Sequence, residues 1–500
     1  MRINKVTLRV LAVLGILILL AIPVTNFVSN FISRTNDPFV APKSQVTTNS
    51  IESFYNQELN WRSCYDQFQC SSFSVPIDYQ NPKLGKFKIA VMRHLAPNAL
   101  GNLVINPGGP GGSGVDYVYA YKEAFTSTIR DNFNLIGFDP RGVSRSSPIK
   151  CLTNAQTDQS YAESSYPEND SELAKIKSDS EAYAKNCLKN NKYLAYYGTV
   201  NAARDMDILR QLLGDGKLNY LGKSYGTYMG TLYAKLFPNK VGRFVLDGAM
   251  DPTINSGEQS IQQAVGFDSA FNSFAADCIT KEDCVFTKDA VKELANKLAE
   301  LRTKTLKVGD RKLTESLAMY GIAMGLYDSE QGWPALRIAL KNLFTGDASA
   351  LLALSDAYTG RDSNGNYRDN EVDALTVITC NDFPVTKIDP TVTNKAAPLF
   401  GKYVAYGELA CNYLPHGKFL QVKDEIALSS QVLVIGTTKD PATPYGWAVA
   451  LSKILRNSIL VTLDSDGHTG YNRGSSCLDQ AVEKYLISGQ TPAADLTCVA

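Results

Sequence analysis

Short runs of apolar, largely β-branched residues alternate with longer amphipathic stretches through most of the chain beyond Trp61. Short apolar runs bounded by turn residues are typical of buried strands, and their alternation with helical stretches predicts a mostly parallel sheet. We expect core strands at 87–92, 102–106, 133–138, 218–221, 241–246, 431–435 and 458–463. The fold class predicted from this pattern is α/β.

Residues 253–400 interrupt the alternation. Within 289–306, apolar side chains recur every three or four positions on one face, which indicates an amphipathic helix. Strand-like runs resume after this block, so we interpret it as a helical cap inserted between the fifth and sixth core strands. The core of the domain would then consist of 61–252 and 401–500.

The N-terminal segment 1–34 carries the longest apolar run. Three basic residues precede 10–24, which has no polar side chain, and the next charge is Arg34. Because basic residues stay in the cytoplasm, the rest of the chain should be exported. The run suits either a cleaved signal or, extended to residue 32, a membrane anchor, with a buried core helix as a third interpretation. Residues 35–60 are polar and contain prolines, so we expect a linker there.

Composition narrows the function classes. Lys and Arg number 50, as do Asp and Glu, and there are three histidines. A nucleic-acid binder normally carries a basic excess, and a zinc site needs clustered His and Cys ligands. We therefore expect neither a nucleic-acid partner nor a bound zinc ion. The ten cysteines suit an oxidising compartment outside the cytoplasm. Pairing of sequence neighbours gives the hypothesis Cys64–Cys70, Cys151–Cys187, Cys278–Cys284, Cys380–Cys411 and Cys477–Cys498.

The pentapeptide at 222–226 has the pattern G-x-S-x-G around Ser224. A predicted strand precedes it and a predicted helix, 225–236, follows it. Small residues on both sides allow a sharp turn that exposes the serine hydroxyl, as a nucleophile requires. A phosphate-binding loop would need glycine where Lys217 stands, so that alternative is rejected.

A serine nucleophile needs a base and a carboxylate that orients the base. His468 follows the last predicted strand, and Asp440 follows the strand before it. The carboxyl ends of parallel strands meet at one edge of a sheet, which would bring both residues to Ser224. The chain order Ser, Asp, His is that of α/β-hydrolases. Asp464 and Asp466 are alternative acids, although their place in the histidine's own loop favours a turn role.

A glycine-rich loop, 106–114, follows the second predicted strand. An acyl-transfer enzyme needs two N–H donors for the oxyanion, and we expect them from Gly109 and Tyr225. The loop also matches G-x-G-x-x-G, with Asp139 as a possible ribose ligand. Pro110 lacks an N–H, however, and an exported protein meets little NAD, so we expect no cofactor and no metal.

These motifs together resemble the exported tripeptidyl aminopeptidases, relatives of proline iminopeptidase within the α/β-hydrolases. The resemblance covers roughly 60–500, including a C-terminal part similar to the family's TAP-like domain. It implies an α/β-hydrolase fold with an inserted cap. By motif, Ser224 would be the nucleophile, Asp440 and His468 its partners, and Gly109 and Tyr225 the oxyanion donors.

One departure from the family concerns the loop after Asp-Pro-Arg-Gly at 139–142. Relatives tend to have Gly-x-Gly-x-Ser where this chain has Val-Ser-Arg-Ser at 143–146, which puts the shape of that loop in question. Arg141 is interpreted as structural support for it.

The resemblance implies a serine peptidase that releases tripeptides from free N-termini of peptides through an acyl-enzyme. We expect it to be a monomer outside the cytoplasm, anchored or secreted. A carboxylesterase or lipase-type enzyme would use the same triad and is the alternative; a non-catalytic binding module does not explain a complete triad. An aminopeptidase also needs a carboxylate for the substrate ammonium group. Asp328, Glu330 and Asp382 are candidates within the cap, with surface solvation as the simpler role for each.

Overall fold

A mixed β-sheet forms the centre of the computed structural model, which describes residues 38–39, 46 and 48–500. The strands are β1 (Arg62–Cys64), β2 (Phe68–Pro76), β3 (Lys86–His94), β4 (Asn102–Asn106), β5 (Asn134–Phe138), β6 (Leu218–Lys223), β7 (Val241–Asp247), β8 (Leu306–Val308), β9 (Arg311–Leu313), β10 (Ile426–Lys439), β11 (Leu455–Asp466) and β12 (Thr497–Val499). The ten-stranded sheet has the order β1-β2-β3-β5-β4-β6-β7-β10-β11-β12, and β8 pairs with β9 separately.

The sheet is antiparallel from β1 to β5 and parallel from β5 to β12. Each predicted core strand is confirmed, because buried apolar residues at the centre of each strand give the run that predicts it. Strand β2 escaped prediction because its serines, Ser71, Ser72 and Ser74, break the apolar pattern although all three are buried. The sheet is therefore mixed, with an antiparallel edge added to the parallel core.

Helices cover both faces of the sheet and fill the inserted region. They are α1 (Glu52–Tyr55), α2 (Gly114–Tyr119), α3 (Tyr121–Ala124), α4 (Ser127–Asn132), α5 (Asn154–Ala162), α6 (Asp170–Asn190), α7 (Thr199–Leu212), α8 (Tyr225–Leu236), α9 (Ser256–Ile279), α10 (Ala290–Thr303), α11 (Glu315–Leu326), α12 (Gly332–Phe344), α13 (Ser349–Thr359), α14 (Glu371–Asp382), α15 (Pro390–Ala396), α16 (Gly401–Val404), α17 (Tyr445–Ile454) and α18 (Ser476–Ser488). The predicted helices 225–236 and 289–306 correspond to α8 and α10.

Three hydrophobic clusters hold these layers together. Successive residues of a strand point to opposite faces, so Val104 of β4 belongs to one sheet cluster and Ile105 to the other. The third cluster lies among helices α9 to α13, in the insertion between the neighbouring strands β7 and β10. Helix α14 lies within the predicted cap, yet its Val377 packs in a sheet cluster. The domain limits drawn from the sequence remain a prediction.

The expected linker, 35–60, is packed against the domain where the structure describes it. Phe54 is fully buried, and the side-chain amide of Gln57 forms hydrogen bonds of 2.8 and 2.7 Å with the N–H and carbonyl groups of Ser74. Isolated apolar residues in a polar stretch gave no periodic signal, so this packing was not predicted. Residues 48–60 are therefore part of the folded domain rather than a free linker.

The expected signal or anchor, 1–34, lies outside the described residues. Among the described residues, no helix combines the length and the hydrophobicity that a membrane span requires. Five disulfides join the sequence neighbours: Cys64–Cys70, Cys151–Cys187, Cys278–Cys284, Cys380–Cys411 and Cys477–Cys498. Such a set suggests an extracytoplasmic protein.

Candidate active site

Ser224 occupies a tight turn between strand β6 and helix α8. Its backbone has φ 54° and ψ −124°, a left-handed conformation that is costly for a serine. A Cβ atom on Gly222 would lie 2.5 Å from the carbonyl oxygen of Gly226, so the turn requires a glycine there. The strand-to-helix reversal predicted from G-x-S-x-G is thus present, and Ser224 lies in the turn between the strand and the helix.

Asp440 and His468 are hydrogen-bonded to each other at the carboxyl edge of the sheet. Nδ1 of His468 lies 2.9 Å from both carboxylate oxygens of Asp440. The carboxylate also accepts the N–H groups of Ala442, Thr443 and Thr469 at 2.9, 2.8 and 3.1 Å. With a carboxylate at Nδ1, the neutral imidazole carries its proton there, which leaves Nε2 able to accept a proton from a hydroxyl.

The two alternative acids are engaged elsewhere. Asp464 accepts a hydrogen bond from the hydroxyl of Thr438 at 2.8 Å, and Asp466 accepts one from Lys439 at 3.1 Å. The structure therefore gives the imidazole one carboxylate partner, Asp440.

Asp247 connects the serine turn to the loop that carries the histidine. Its carbonyl oxygen accepts the N–H of Ser224 at 2.8 Å, and its carboxylate accepts those of Gly470 and Tyr471 at 2.8 and 3.0 Å. Lys223 lies 3.7 Å from the same carboxylate and donates to the carbonyl oxygen of Tyr471 at 2.8 Å.

Asp247 was not predicted from the sequence, although its position carries a signal. Asp247 ends strand β7 at the sheet edge that also carries Asp440 after β10. The rule that led to Asp440, a charged residue at the carboxyl end of an apolar strand, applies equally to Asp247.

The glycine-rich loop lies directly against the serine. A Cβ atom on Gly108 would lie 2.9 Å from Cβ of Ser224, so the loop approaches as closely as a glycine permits. The N–H of Gly108 is used by the side chain of Asn106 at 3.0 Å. Among the described residues, no acceptor bonds the N–H of Gly109 or of Tyr225, so both expected donors are free for a ligand.

Asp139, the possible ribose ligand, instead supports this loop. It accepts hydrogen bonds from the hydroxyl of Ser113 at 2.5 Å and from Arg145 at 3.2 Å. Arg145 also pairs with Asp116 at 2.7 Å, so the residues that depart from the family pattern join the loop to helix α2. Arg141 is fully buried on Asp205, as expected for a structural residue.

A cavity of about 640 Å³, here called the glycine-loop cavity, opens beside Gly108 and Gly109. Asp116, Asp369 and Glu371 also line it. Burial raises the pKa of Asp116 to about 6, and burial followed by repulsion from Asp369 raises the pKa of Glu371 to about 7. The cavity therefore carries several acidic side chains close together.

Glu371 differs from its acidic neighbours in the partners of its carboxylate. Asp116 pairs with Arg145, and Asp369 pairs with Arg368 at 3.1 Å. Within the described part of the chain, the Glu371 carboxylate makes neither a hydrogen bond nor an ion pair. A half-buried carboxylate loses part of its hydration, and no donor of the described residues replaces it, so this group is suited to receive a hydrogen bond from a ligand.

None of the three acids suggested from the cap lines the glycine-loop cavity. Asp382 is buried, accepts the N–H of Thr199 at 2.6 Å, and has a pKa raised to about 7 by burial. Asp328 pairs with Arg473 at 2.7 Å, and Glu330 is exposed. The sequence could not single out Glu371, because only the fold brings its helix onto the glycine-rich loop.

Comparison with known proteins agrees with this geometry. The family profile described as "alpha/beta hydrolase fold" matches residues 101–472. The chain belongs to the α/β-hydrolase family. Among curated members, "Serine protease Hip1" of Mycobacterium tuberculosis (strain ATCC 25618 / H37Rv) is 37% identical over 461 residues, 86% of this chain and 87% of that protein.

Two other relatives differ in their names. "Carboxylesterase B" of the same strain is 36% identical over 484 residues, 92% of this chain and 91% of the relative. "Tripeptidyl aminopeptidase" of Streptomyces lividans is 29% identical over 479 residues, 88% of this chain and 86% of the relative. With this family and these relatives, the chain is a serine hydrolase.

Proposed function

We propose that the protein is an extracytoplasmic serine peptidase that releases tripeptides from free N-termini of peptides. In this mechanism Nε2 of His468 takes the proton of Ser224 as Oγ attacks the scissile carbonyl, and Asp440 stabilises the imidazolium. The N–H groups of Gly109 and Tyr225 bind the oxyanion. His468 then protonates the leaving amine, and water hydrolyses the ester.

The observation that carries this proposal is the unpartnered carboxylate of Glu371 in the glycine-loop cavity. A substrate ammonium group would supply both the donor and the charge that Glu371 lacks. Asp369 and the nearby Asp116 repel the negative charge of Glu371, and the same negative charges would attract a cation. The names of two relatives, a serine protease and a tripeptidyl aminopeptidase, support a peptide substrate.

The alternative, a carboxylesterase, has one relative in its favour. An ester with an apolar acyl chain would leave Glu371 buried beside hydrocarbon, and this desolvation would oppose binding. The acidic cavity therefore favours the peptidase. In cellular terms, the segment 1–34 either remains as an anchor or is removed, and the five disulfides suit both locations.

The test compares a tripeptide anilide that has a free amine with its N-acetylated twin, using the purified oxidised protein. We expect a strong preference for the free amine. Ser224→Ala is the control, since loss of the nucleophile in a comparable triad lowers kcat by about 10⁶-fold. Equal cleavage of both twins would reject the aminopeptidase, and cleavage of simple esters alone would favour the carboxylesterase.

A further inference from the structure

A second cavity, of about 400 Å³, lies beside the histidine and is here called the histidine-side cavity. His468 and Gly467 line it, whereas Gly108 and Gly109 line the glycine-loop cavity. The two cavities share Tyr117, Ala120 and Glu123, so they adjoin. One cavity thus borders the candidate base, and the other borders the loop that carries a candidate oxyanion donor.

The chemistry of peptide cleavage places different parts of the substrate in the two cavities. The leaving amine takes its proton from the histidine, so it must lie beside the imidazole when the bond breaks. If the N-terminus is bound at Glu371, the acyl part of the substrate fills the glycine-loop cavity. The residues after the cleaved bond then need room beside His468.

We propose that the histidine-side cavity binds the leaving segment of the substrate and selects a basic residue at its start. This inference rests on the proposed peptidase activity and adds a substrate preference to it. The cavity continues into another of about 560 Å³, which shares Ser329, Glu330, Ser465 and Asp466 with it. A leaving segment of several residues therefore has a continuous path.

The charges that line the histidine-side cavity determine its preference. Four acidic side chains and two basic ones line it: Glu123, Asp328, Glu330 and Asp466, with Lys223 and Arg473.

Neither cation is free to neutralise the remaining acids. Arg473 pairs with Asp328, and Lys223 is occupied by Tyr471 and by Asp247 outside this cavity.

The remaining acids are incompletely paired. Asp466 binds Lys439 through one oxygen, and its other oxygen, Oδ1, is buried without a hydrogen-bond partner in the described residues. Glu123 and Glu330 form no ion pair within that same part of the chain. The cavity is negative next to the histidine, which favours a cationic leaving residue over an anionic one.

Aminolysis of the acyl-enzyme probes this cavity directly. An added amine attacks the ester carbonyl of acylated Ser224, the new C–N bond forms, and the C–O bond to Oγ breaks. Oγ regains a proton through His468, which receives it from the attacking amine, so the step is the reverse of acylation. The amine must occupy the place of the leaving residue, so the cavity can select its side chain. Water, which competes with the amine for the ester, has no side chain and is not selected.

The experiment acylates the oxidised enzyme with a tripeptide methyl ester and adds lysinamide, leucinamide or the α-amide of glutamate at equal concentration of free amine. Chromatography measures the ratio of the aminolysis product, in which the added amino acid amide is joined to the tripeptide, to free tripeptide. We expect lysinamide to be captured about fivefold more than leucinamide, as one partly exposed ion pair allows, and the glutamate amide least. Glu330→Gln and Asp466→Asn should each reduce the lysinamide excess, whereas Glu300→Gln, on the exposed face of α10, should not.

Equal capture of the three amines, or an excess of lysinamide that survives both variants, overturns the proposal. Repeating the measurement with the N-acetylated ester separates it from the aminopeptidase assignment. If lysinamide is captured selectively but acetylated and free substrates are hydrolysed at the same rate, the leaving-segment site is supported and the aminopeptidase is rejected. Unselective capture with a strong free-amine preference would reject the leaving-segment site alone.

Discussion

The N–H of Ser224 donates to the carbonyl oxygen of Asp247 at 2.8 Å, so the residue that ends β7 holds the turn that ends β6. The carboxylate of the same aspartate accepts the N–H groups of Gly470 and Tyr471, just after His468. One buried residue, through its backbone carbonyl and its side chain, thereby positions the candidate base relative to the candidate nucleophile. This arrangement makes Asp247 a positioning residue that does not itself contact the substrate.

Asp247→Asn should lower kcat with little change in KM. An amide offers one acceptor oxygen where two N–H groups converge, and its own NH2 faces one of them, so the histidine loop must shift. A displacement of about 1 Å in a catalytic group costs about 10²-fold in rate. Steady-state kinetics on the free-amine tripeptide anilide would measure this, with Asp310→Asn, in the exposed turn between β8 and β9, as the matched control. A rise in KM alone would contradict the positioning role.

Asp440→Asn should reduce kcat by about 10⁴-fold, as the same change does in a comparable triad, because it imposes the wrong imidazole tautomer. Asp464→Asn, in the same region but bonded to Thr438, should leave kcat almost unchanged. Circular dichroism and thermal unfolding would verify that both variants fold. Similar activity losses in the two variants would mean that the acid has been misassigned.

The main strands, the serine turn and the Asp440–His468 pair follow from local pattern, since each depends on short apolar runs or on residues at strand ends. Other features depend on contacts between distant segments. Ser71 and Ser72 are buried because β2 lies inside the antiparallel edge, and Phe54 is buried because a nominally polar segment folds back. The position of Glu371 against Gly111 also depends on contacts between distant segments, and no local sequence pattern predicts it.

Gly108→Ala should abolish most activity while the protein remains folded. Its φ of 110° is unfavourable for alanine, and the new methyl group would lie 2.8 Å from the carbonyl oxygen of Lys223 and 2.9 Å from Cβ of Ser224. Gly446→Ala is the matched control, because a Cβ atom on this residue of helix α17 would have no other atom within 4 Å. Labelling with a fluorophosphonate would report the reactivity of the serine. Normal labelling of the Gly108 variant would contradict the close approach.

Glu371→Gln should remove most of the preference for a free N-terminus. Deleting one partner of a buried charge pair costs several kcal/mol, so we expect a loss of about 10²-fold in kcat/KM on the free-amine anilide and little loss on its acetylated twin. Burial raises the pKa of Glu371 to about 7. The wild-type ratio of kcat/KM for the free amine to kcat/KM for the acetylated twin should therefore rise as pH passes through 7, and the variant should lose this rise. Glu282→Gln, on the surface, is the control.

The same substitution should change stability with a defined sign. The folded Glu371 retains its proton up to about pH 7, whereas an unfolded glutamate loses it near its ordinary value of 4.5. Between these values the folded state binds more protons, so this group makes the protein less stable as pH rises. Glutamine does not titrate, so the variant should gain in Tm relative to wild type between pH 5 and pH 8. A Tm difference that is independent of pH would show that the pKa of Glu371 is not raised in the folded protein. It would remove the main support for ammonium binding there.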